Sequence, residues 1–113
     1  MNDLDETKLR MLVHNLEVYG KSRNNLKLKN RDVFDLKPFK VDAVIACPPW
    51  GGLSLEKYSY EDLDTIMKPE LSKILLHCSK FSENIILQMP KNTNIPNLVK
   101  IVNLCNIKPI MRI

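Results

Sequence analysis

The chain has 113 residues, 44% hydrophobic and 27% charged, with a formal net charge of +4. That is room for one small domain of ordinary globular composition, and no apolar run approaches the ~18 residues needed to cross a bilayer. Residues 1–5 have neither the charge nor the apolar core of a signal peptide, so the sequence offers no membrane or secretory address.

Leu9, Leu12, Val13, Leu16 and Tyr19 recur at helical spacing, with Lys8, Arg10, His14 and Glu17 between them. This predicts a helix capped by Asp5 and ended by Gly20. A polar loop over residues 21–25 leads into Leu26-Lys27-Leu28-Lys29, which alternates like a short strand. Residues 31–40 form a connector holding Asp32, Asp35 and Pro38. The β-branched run over residues 41–46 predicts a strand buried on both faces. Residues 53–59 read as a polar loop, and a helical turn begins at Tyr60. Leu71, Ile74, Leu75 and Cys78 predict the apolar face of a second helix, with Pro69 near its start. Residues 85–89 predict another buried strand, stopped by Pro90. A third helix over residues 94–105 carries Pro96 in its first turn and Leu98, Ile101, Val102 and Cys105 along one side. Residues 107–113 read as a final strand, with Pro109 marking an edge or early position.

Strands alternating with helices predict an α/β fold with a mostly parallel sheet and flanking helices, the strands joined by right-handed crossovers. The chain is expected to open on a helix, with no strand before it and no Gly-rich turn, since its three glycines are Gly20, Gly51 and Gly52. Cys47, Cys78 and Cys105 are odd in number and widely spaced, with no CxxC pair and no ligand-like grouping with His14 or His77. They read as reduced thiols of a soluble intracellular protein, and no metal site is expected. The mild basic bias suits either a polyanionic partner or a solvated lysine face.

The most informative stretch is Cys47-Pro48-Pro49-Trp50-Gly51-Gly52, directly after the apolar run. Two prolines end ladder pairing, because proline has no N–H to donate. The indole and two glycines then place a flat aromatic surface on an unobstructed backbone. In parallel α/β sheets, ligands lie beyond the carboxyl ends of the strands, where this loop is expected. The alternative is a proline-terminated strand with a core tryptophan. Asp3, just before the first helix, either holds ribose hydroxyls as an acidic strand end or serves as a second N-terminal cap. Asp32 either accepts from an exocyclic amine such as that of adenine or makes a local turn.

With their flanking residues, these segments resemble one family: the RNA cap guanine-N2 methyltransferases, or trimethylguanosine synthases. Asn2-Asp3-Leu4-Asp5 resembles its acidic strand end, and His14-Asn15-Leu16-Glu17-Val18-Tyr19-Gly20 resembles its asparagine-containing stretch closing on Glu-Val-Tyr-Gly. Residues 42–52 are similar to its Ser-Pro-Pro-Trp-Gly-Gly loop, the most specific part of the match. Met67-Lys68-Pro69 and Met89-Pro90-Lys91-Asn92 echo further segments in order. The tryptophan separates this family from the tyrosine or phenylalanine of many amino-methylating enzymes.

The resemblance implies a partial Rossmann-like class I methyltransferase fold, S-adenosylmethionine as cofactor, and the 7-methylguanosine cap of small nuclear and nucleolar RNA as substrate. It also implies a nuclear location and leaves protein partners unnamed. Asp3, Asp32 and Cys47 are then the cofactor-binding candidates; Cys47, Pro48 and Trp50 the catalytic ones; and Pro48, Trp50 and Lys91 the cap-binding ones. The Pro48 carbonyl would orient the guanine amine, and Trp50 would stack on a cationic base. Lys91 stands where the family has a triphosphate-contacting arginine, keeping its charge without the bidentate fork; its alternative is a solvated surface charge. Cys47 replaces the family's serine with a weaker acceptor, and Leu55 stands in place of a tyrosine that reaches the phosphates, for which Tyr58 or Tyr60 is the available stand-in.

The family's first strand and Gly-rich methionine-binding loop are expected to lie upstream of Met1, and its closing hairpin beyond Ile113. The chain by itself is therefore expected to bind S-adenosylmethionine more weakly than micromolar and to be marginally stable. Two alternatives stand beside the enzyme: a non-catalytic cap- or partner-binding remnant of the fold, and an amino-methyltransferase acting on another base or on a protein.

Overall fold

The first helix starts where Asp5 offers its carboxylate to the backbone. Asp5 Oδ1 accepts from the N–H groups of Thr7 at 2.9 Å and Lys8 at 3.4 Å, and α1 runs from Glu6 to Val18. It ends as expected: Gly20 takes a φ of 63°, its N–H donates to the Glu17 carbonyl at 2.9 Å, and the Lys21 N–H donates to that of Leu16 at 2.8 Å. This pair of bonds closes the helix around a left-handed residue. The computed structural model describes residues 1–50 and 55–107, and the chain divides into two units, Met1–Lys37 and Pro38–Ile113.

In the first unit, Leu9 is buried and Leu12, Val13 and Leu16 are half-buried, as the spacing predicts. Tyr19 is not on this face; it is 76% exposed. It is the C-cap, where the chain has already left helical geometry. A strand does precede the helix, contrary to expectation. β1, Asn2–Asp3, pairs parallel with β2, Lys29–Asn30, so β1, α1 and β2 form one parallel crossover. The expected strand at residues 26–29 is displaced, and only Lys29 of it pairs. Side-chain amides hold this short ladder: Asn30 donates to the carbonyls of Asp3 and Leu4 at 3.0 and 2.8 Å, and Asn2 donates to that of Arg31 at 3.0 Å.

In the second unit, β3 (Val44–Ala46) pairs parallel with β4 (Ile85–Leu87), with Ile45 opposite Ile86. Between them lie a 3-10 helix, Leu55–Ser59, then α2, Leu63–Ile66, and α3, Leu71–Cys78. The helix α4, Ile95–Leu104, follows β4. Leu63, Met67 and Leu71 are the most completely buried side chains of the core, and Val44, Ala46, Ile85 and Leu87 pack against it. Neither the run over residues 41–46 nor that over residues 85–89 is buried on both faces: Ile45 of the first is 74% exposed and Ile86 of the second 57%. Side chains alternate across a strand, and among the described residues only the Val44/Ala46 face is covered. The ladder also begins later than the apolar run. The Asp42 carbonyl accepts instead from the Ser82 hydroxyl at 2.9 Å and the Asn84 amide at 2.8 Å.

Helix starts in this unit follow the sequence. Asn94 Oδ1 accepts the Asn97 N–H at 3.1 Å, with Pro96 in the first turn of α4. Glu70 makes no side-chain cap at α3; Asp64 supplies it, accepting the Ser72 N–H at 2.7 Å. The small α/β architecture with short parallel strands is as expected, but among the described residues the strands form two two-stranded sheets, β1 with β2 and β3 with β4, rather than one. Residues 108–113 of the expected last strand lie outside the described residues.

Candidate functional site

Each unit gathers its candidates at the carboxyl end of its parallel strands. In the first unit, Asp3 is the last residue of β1 and Asp32 lies two residues past β2. Parallel pairing therefore brings these two carboxylates to one sheet edge. Asp3 Oδ1 accepts the Asp5 N–H at 2.9 Å, and Asp32 Oδ1 accepts the Phe34 N–H at 3.0 Å, capping the 3-10 helix Val33–Asp35. Asp32 thus makes the local turn foreseen as its alternative, whereas Asp3 holds the N–H of the N-cap residue Asp5 rather than capping the helix itself. These bonds use one oxygen of each half-buried carboxylate, and the second oxygens remain as acceptors.

In the second unit, the last ladder bond of β3 runs from the Gln88 N–H to the Ala46 carbonyl at 2.9 Å. Cys47 follows, exposed, then buried Pro48. Trp50 is half-buried and packs against the core, so the core-packing alternative accounts for part of the indole, and part stays at the surface. Its Nε1 is buried with no hydrogen-bond partner among the described residues, a donor held out of water at a cost. Gly51 and Gly52 lie outside the described residues.

Lys91 sits at the tip of the turn that follows β4. Pro90 is buried, and its carbonyl accepts both the Thr93 N–H at 3.1 Å and the Thr93 hydroxyl at 2.6 Å. Lys91 itself is exposed. Because β3 and β4 are parallel neighbours in register, the loop of Cys47, Pro48 and Trp50 and the turn carrying Lys91 leave the same end of the sheet. An aromatic and a cation that leave one end of a sheet are a chemistry for a base bearing phosphates.

A family model for RNA cap guanine-N2 methyltransferases matches residues 1–111. The chain belongs to that family. It is similar to the trimethylguanosine synthase of Saccharomyces cerevisiae, 34% identical over 64 residues that cover 56% of this chain and 20% of the relative. It is also similar to the trimethylguanosine synthase of Schizosaccharomyces pombe, 25% identical over 103 residues covering 85% of this chain and 43% of the relative. The chain thus spans less than half the length of either curated relative. Its place among the cap guanine-N2 methyltransferases agrees with the resemblance carried by the Pro-Pro-Trp-Gly-Gly loop.

Of the residues that shape this end of the second unit, the sequence singled out only Tyr58, as a stand-in for the tyrosine that Leu55 replaces, and gave Asp62 and Asn97 no role. Tyr58 is buried, and burial pushes its hydroxyl pKa up. Its carbonyl accepts the Asn94 N–H at 2.7 Å. Asn97 Oδ1 accepts the Leu63 N–H at 2.9 Å, and its amide donates to Asp62 Oδ1 at 2.8 Å. That amide is the main reason the Asp62 carboxyl is held below its ordinary range, with the Thr65 hydroxyl and the Lys100 charge adding to it against a desolvation cost. Only the Asn-x-Pro-Asn pattern at residues 94–97 gave a local signal, and it pointed to a helix start rather than to a partner more than 30 residues away.

Proposed function

We propose that residues 1–113 act as a methyltransferase domain of Rossmann-like class I type, directing methyl transfer to the exocyclic N2 of the 7-methylguanosine cap of small nuclear and nucleolar RNA, in the nucleus. The observation that carries the reading is the common exit of the Trp50 loop and the Lys91 turn from one parallel sheet edge. The names of the two yeast relatives support it.

In this reading the exposed part of the Trp50 indole stacks on the cap base. N7-methylation makes that ring cationic, and the indole face then gains up to ~2 kcal/mol if the contact is desolvated. Lys91 takes the triphosphate as a point charge. The Pro48 carbonyl accepts an N–H of the exocyclic amine and so aims its lone pair, which is otherwise delocalised into the ring. Pro48 is buried, its own ring fixes φ and the following Pro49 holds its ψ in the extended region, so the direction of its carbonyl is built in before substrate arrives. Positioning of this kind supplies up to ~7–11 kcal/mol of a barrier, with no general base of shifted pKa required.

Asp3 and Asp32 fit S-adenosylmethionine by their chemistry: each is an acceptor at a strand end with one oxygen left over from its own turn. Asp3 would take ribose hydroxyls and Asp32 the adenine amine, and the bound cofactor supplies an electrophilic methyl group. Cys47, exposed next to Pro48, offers a thiol where a hydroxyl is a better acceptor.

The test has two arms. Fluorescence of Trp50, the single tryptophan, should be quenched by 7-methylguanosine triphosphate. Nucleoside mass analysis should then find a methyl group at N2 of capped RNA after incubation with saturating S-adenosylmethionine. A folded chain that leaves the cap analogue unbound, or that methylates any other atom, refutes the proposal. Binding without transfer places the chain among non-catalytic cap readers.

A further inference from the structure

We infer that Asn97 is a positioning residue that fixes how far the Trp50 loop stands from the Lys91 turn. The inference rests on the cap-binding reading above for its ligand, but not for its geometry. The first turn of α4 is where two separate segments are tied. Upstream it continues directly from the Lys91 turn, which the Thr93 bonds to Pro90 hold closed. Sideways it grips the segment that returns from the Trp50 loop. There the Asn94 N–H meets the Tyr58 carbonyl at 2.7 Å, and the Asn97 side chain spans Asp62 and the Leu63 N–H at 2.8 and 2.9 Å.

The Asn97 contact is specific in its chemistry. Asp62 is the N-cap of α2 but makes no side-chain cap bond. The Leu63 N–H, an orphan donor of a helix start, is taken by an acceptor 34 residues away. Asparagine is suited to both ends at once, accepting from an N–H and donating to a carboxylate with one planar group. Tyr58, Leu63 and Trp50 all belong to or pack on one core cluster, to which α4 also contributes Leu98, Ile101 and Val102. A shift of the α2 start relative to α4 therefore changes the packing of Tyr58 and Leu63 in the cluster on which the indole rests, while Lys91 follows α4.

The variant that tests this is Asn97→Asp, which keeps the acceptor for Leu63 but sets a carboxylate against Asp62. The rescue is the pair Asn97→Asp with Asp62→Asn, which restores donor to acceptor with the roles reversed. Two readouts are taken at a temperature where circular dichroism shows all proteins folded. Acrylamide quenching of Trp50 in the free protein should rise in Asn97→Asp and return to the wild-type value in the pair. With ligand, the affinity gained by adding the triphosphate to 7-methylguanosine should fall about fivefold in Asn97→Asp, the factor that goes with the net loss of one hydrogen bond, here that from the Asn97 amide to Asp62. The same pair should recover it, while nucleoside binding changes little. Unchanged quenching, or a rescue pair that stays as quenched as Asn97→Asp, overturns the inference. So does an undiminished triphosphate increment. A wild-type chain that ignores the cap analogue sinks the cap reading alone, and quenching then decides the role of Asn97.

Discussion

Replacing Trp50 by leucine should abolish the preference of the second unit for a methylated cap base while leaving its phosphate binding in place. The magnitude follows from how the indole is held. A fully exposed aromatic contributes ~0.5–1 kcal/mol towards a cation, and a desolvated one ~2 kcal/mol. Trp50 is half-buried against the core, so an intermediate value of about 1.4 kcal/mol applies, which is tenfold in affinity. Wild-type protein should thus bind 7-methylguanosine triphosphate about tenfold more tightly than guanosine triphosphate, and Trp50→Leu should bind the two alike. Leucine is chosen because it keeps an apolar contact with the cluster, limiting the cavity that alanine would leave. Trp50→Phe should retain a reduced preference. It also removes the buried indole N–H that has no partner among the described residues, so its stability cost should be smaller than the lost area suggests. Isothermal titration of both nucleotides against the three proteins gives the ratios, since two of them lack a tryptophan to report. A Trp50→Leu protein that still discriminates tenfold, or a wild type that never did, would refute the stacking argument.

The core should answer to Leu63 most strongly. Leu63 is 0% exposed, so Leu63→Ala should cost about 2–5 kcal/mol, seen as a fall in the urea midpoint with the slope unchanged. Asp62 should contribute a pH-dependent part of stability. Its folded pKa lies below its ordinary value, chiefly through the Asn97 amide. The contribution is therefore complete above the ordinary carboxylate range and lost as pH falls through the lowered folded value. Melting temperatures of wild type and Asp62→Asn should accordingly differ at neutral pH and converge in acid, and a constant gap refutes this. Cys47 is exposed and Cys78 buried, with burial raising the Cys78 thiol pKa. A thiol reagent followed by peptide mapping should label Cys47 first and Cys78 last, and a bulky adduct on Cys47 should block cap binding beside Pro48. Gly20→Ala should lose roughly 1 kcal/mol through its left-handed backbone alone. Nothing lies within 4 Å of the added methyl, so Gly20→Asn should recover part of the loss.

The helices were legible because their signals are local. Asp5, Gly20 and Asn94 with Pro96 act within four residues of themselves, and Leu71, Ile74, Leu75 and Cys78 mark one face by spacing alone. The strands were less so. β1 has only two residues, too few to show alternation, and it exists because Asn2 and Asp3 meet Lys29 and Asn30 across 27 positions. The run at residues 41–46 has the composition of a strand buried on both sides. Yet composition cannot say how many covering elements a small unit supplies, and Ile45 and Ile86 remain at the surface.

The site divides in the same way. The Cys47-Pro48-Pro49-Trp50 loop and the Met89-Pro90-Lys91 segment each announce a strand end, since proline stops a ladder wherever it stands. That the two ends lie side by side follows only from β3 pairing with β4. What then sets their spacing is a set of hydrogen bonds between Tyr58, Asp62, Leu63, Asn94 and Asn97, and asparagine and aspartate at such positions look like any helix cap. A cap whose acceptor comes from another helix has no sequence signature, because the partner is chosen by the packing of α2 on α4. The consequence is physical as well as practical. Substitutions at Asn97 should alter the site while touching neither of the loops that name it, and the loops themselves can keep their sequence while losing their register.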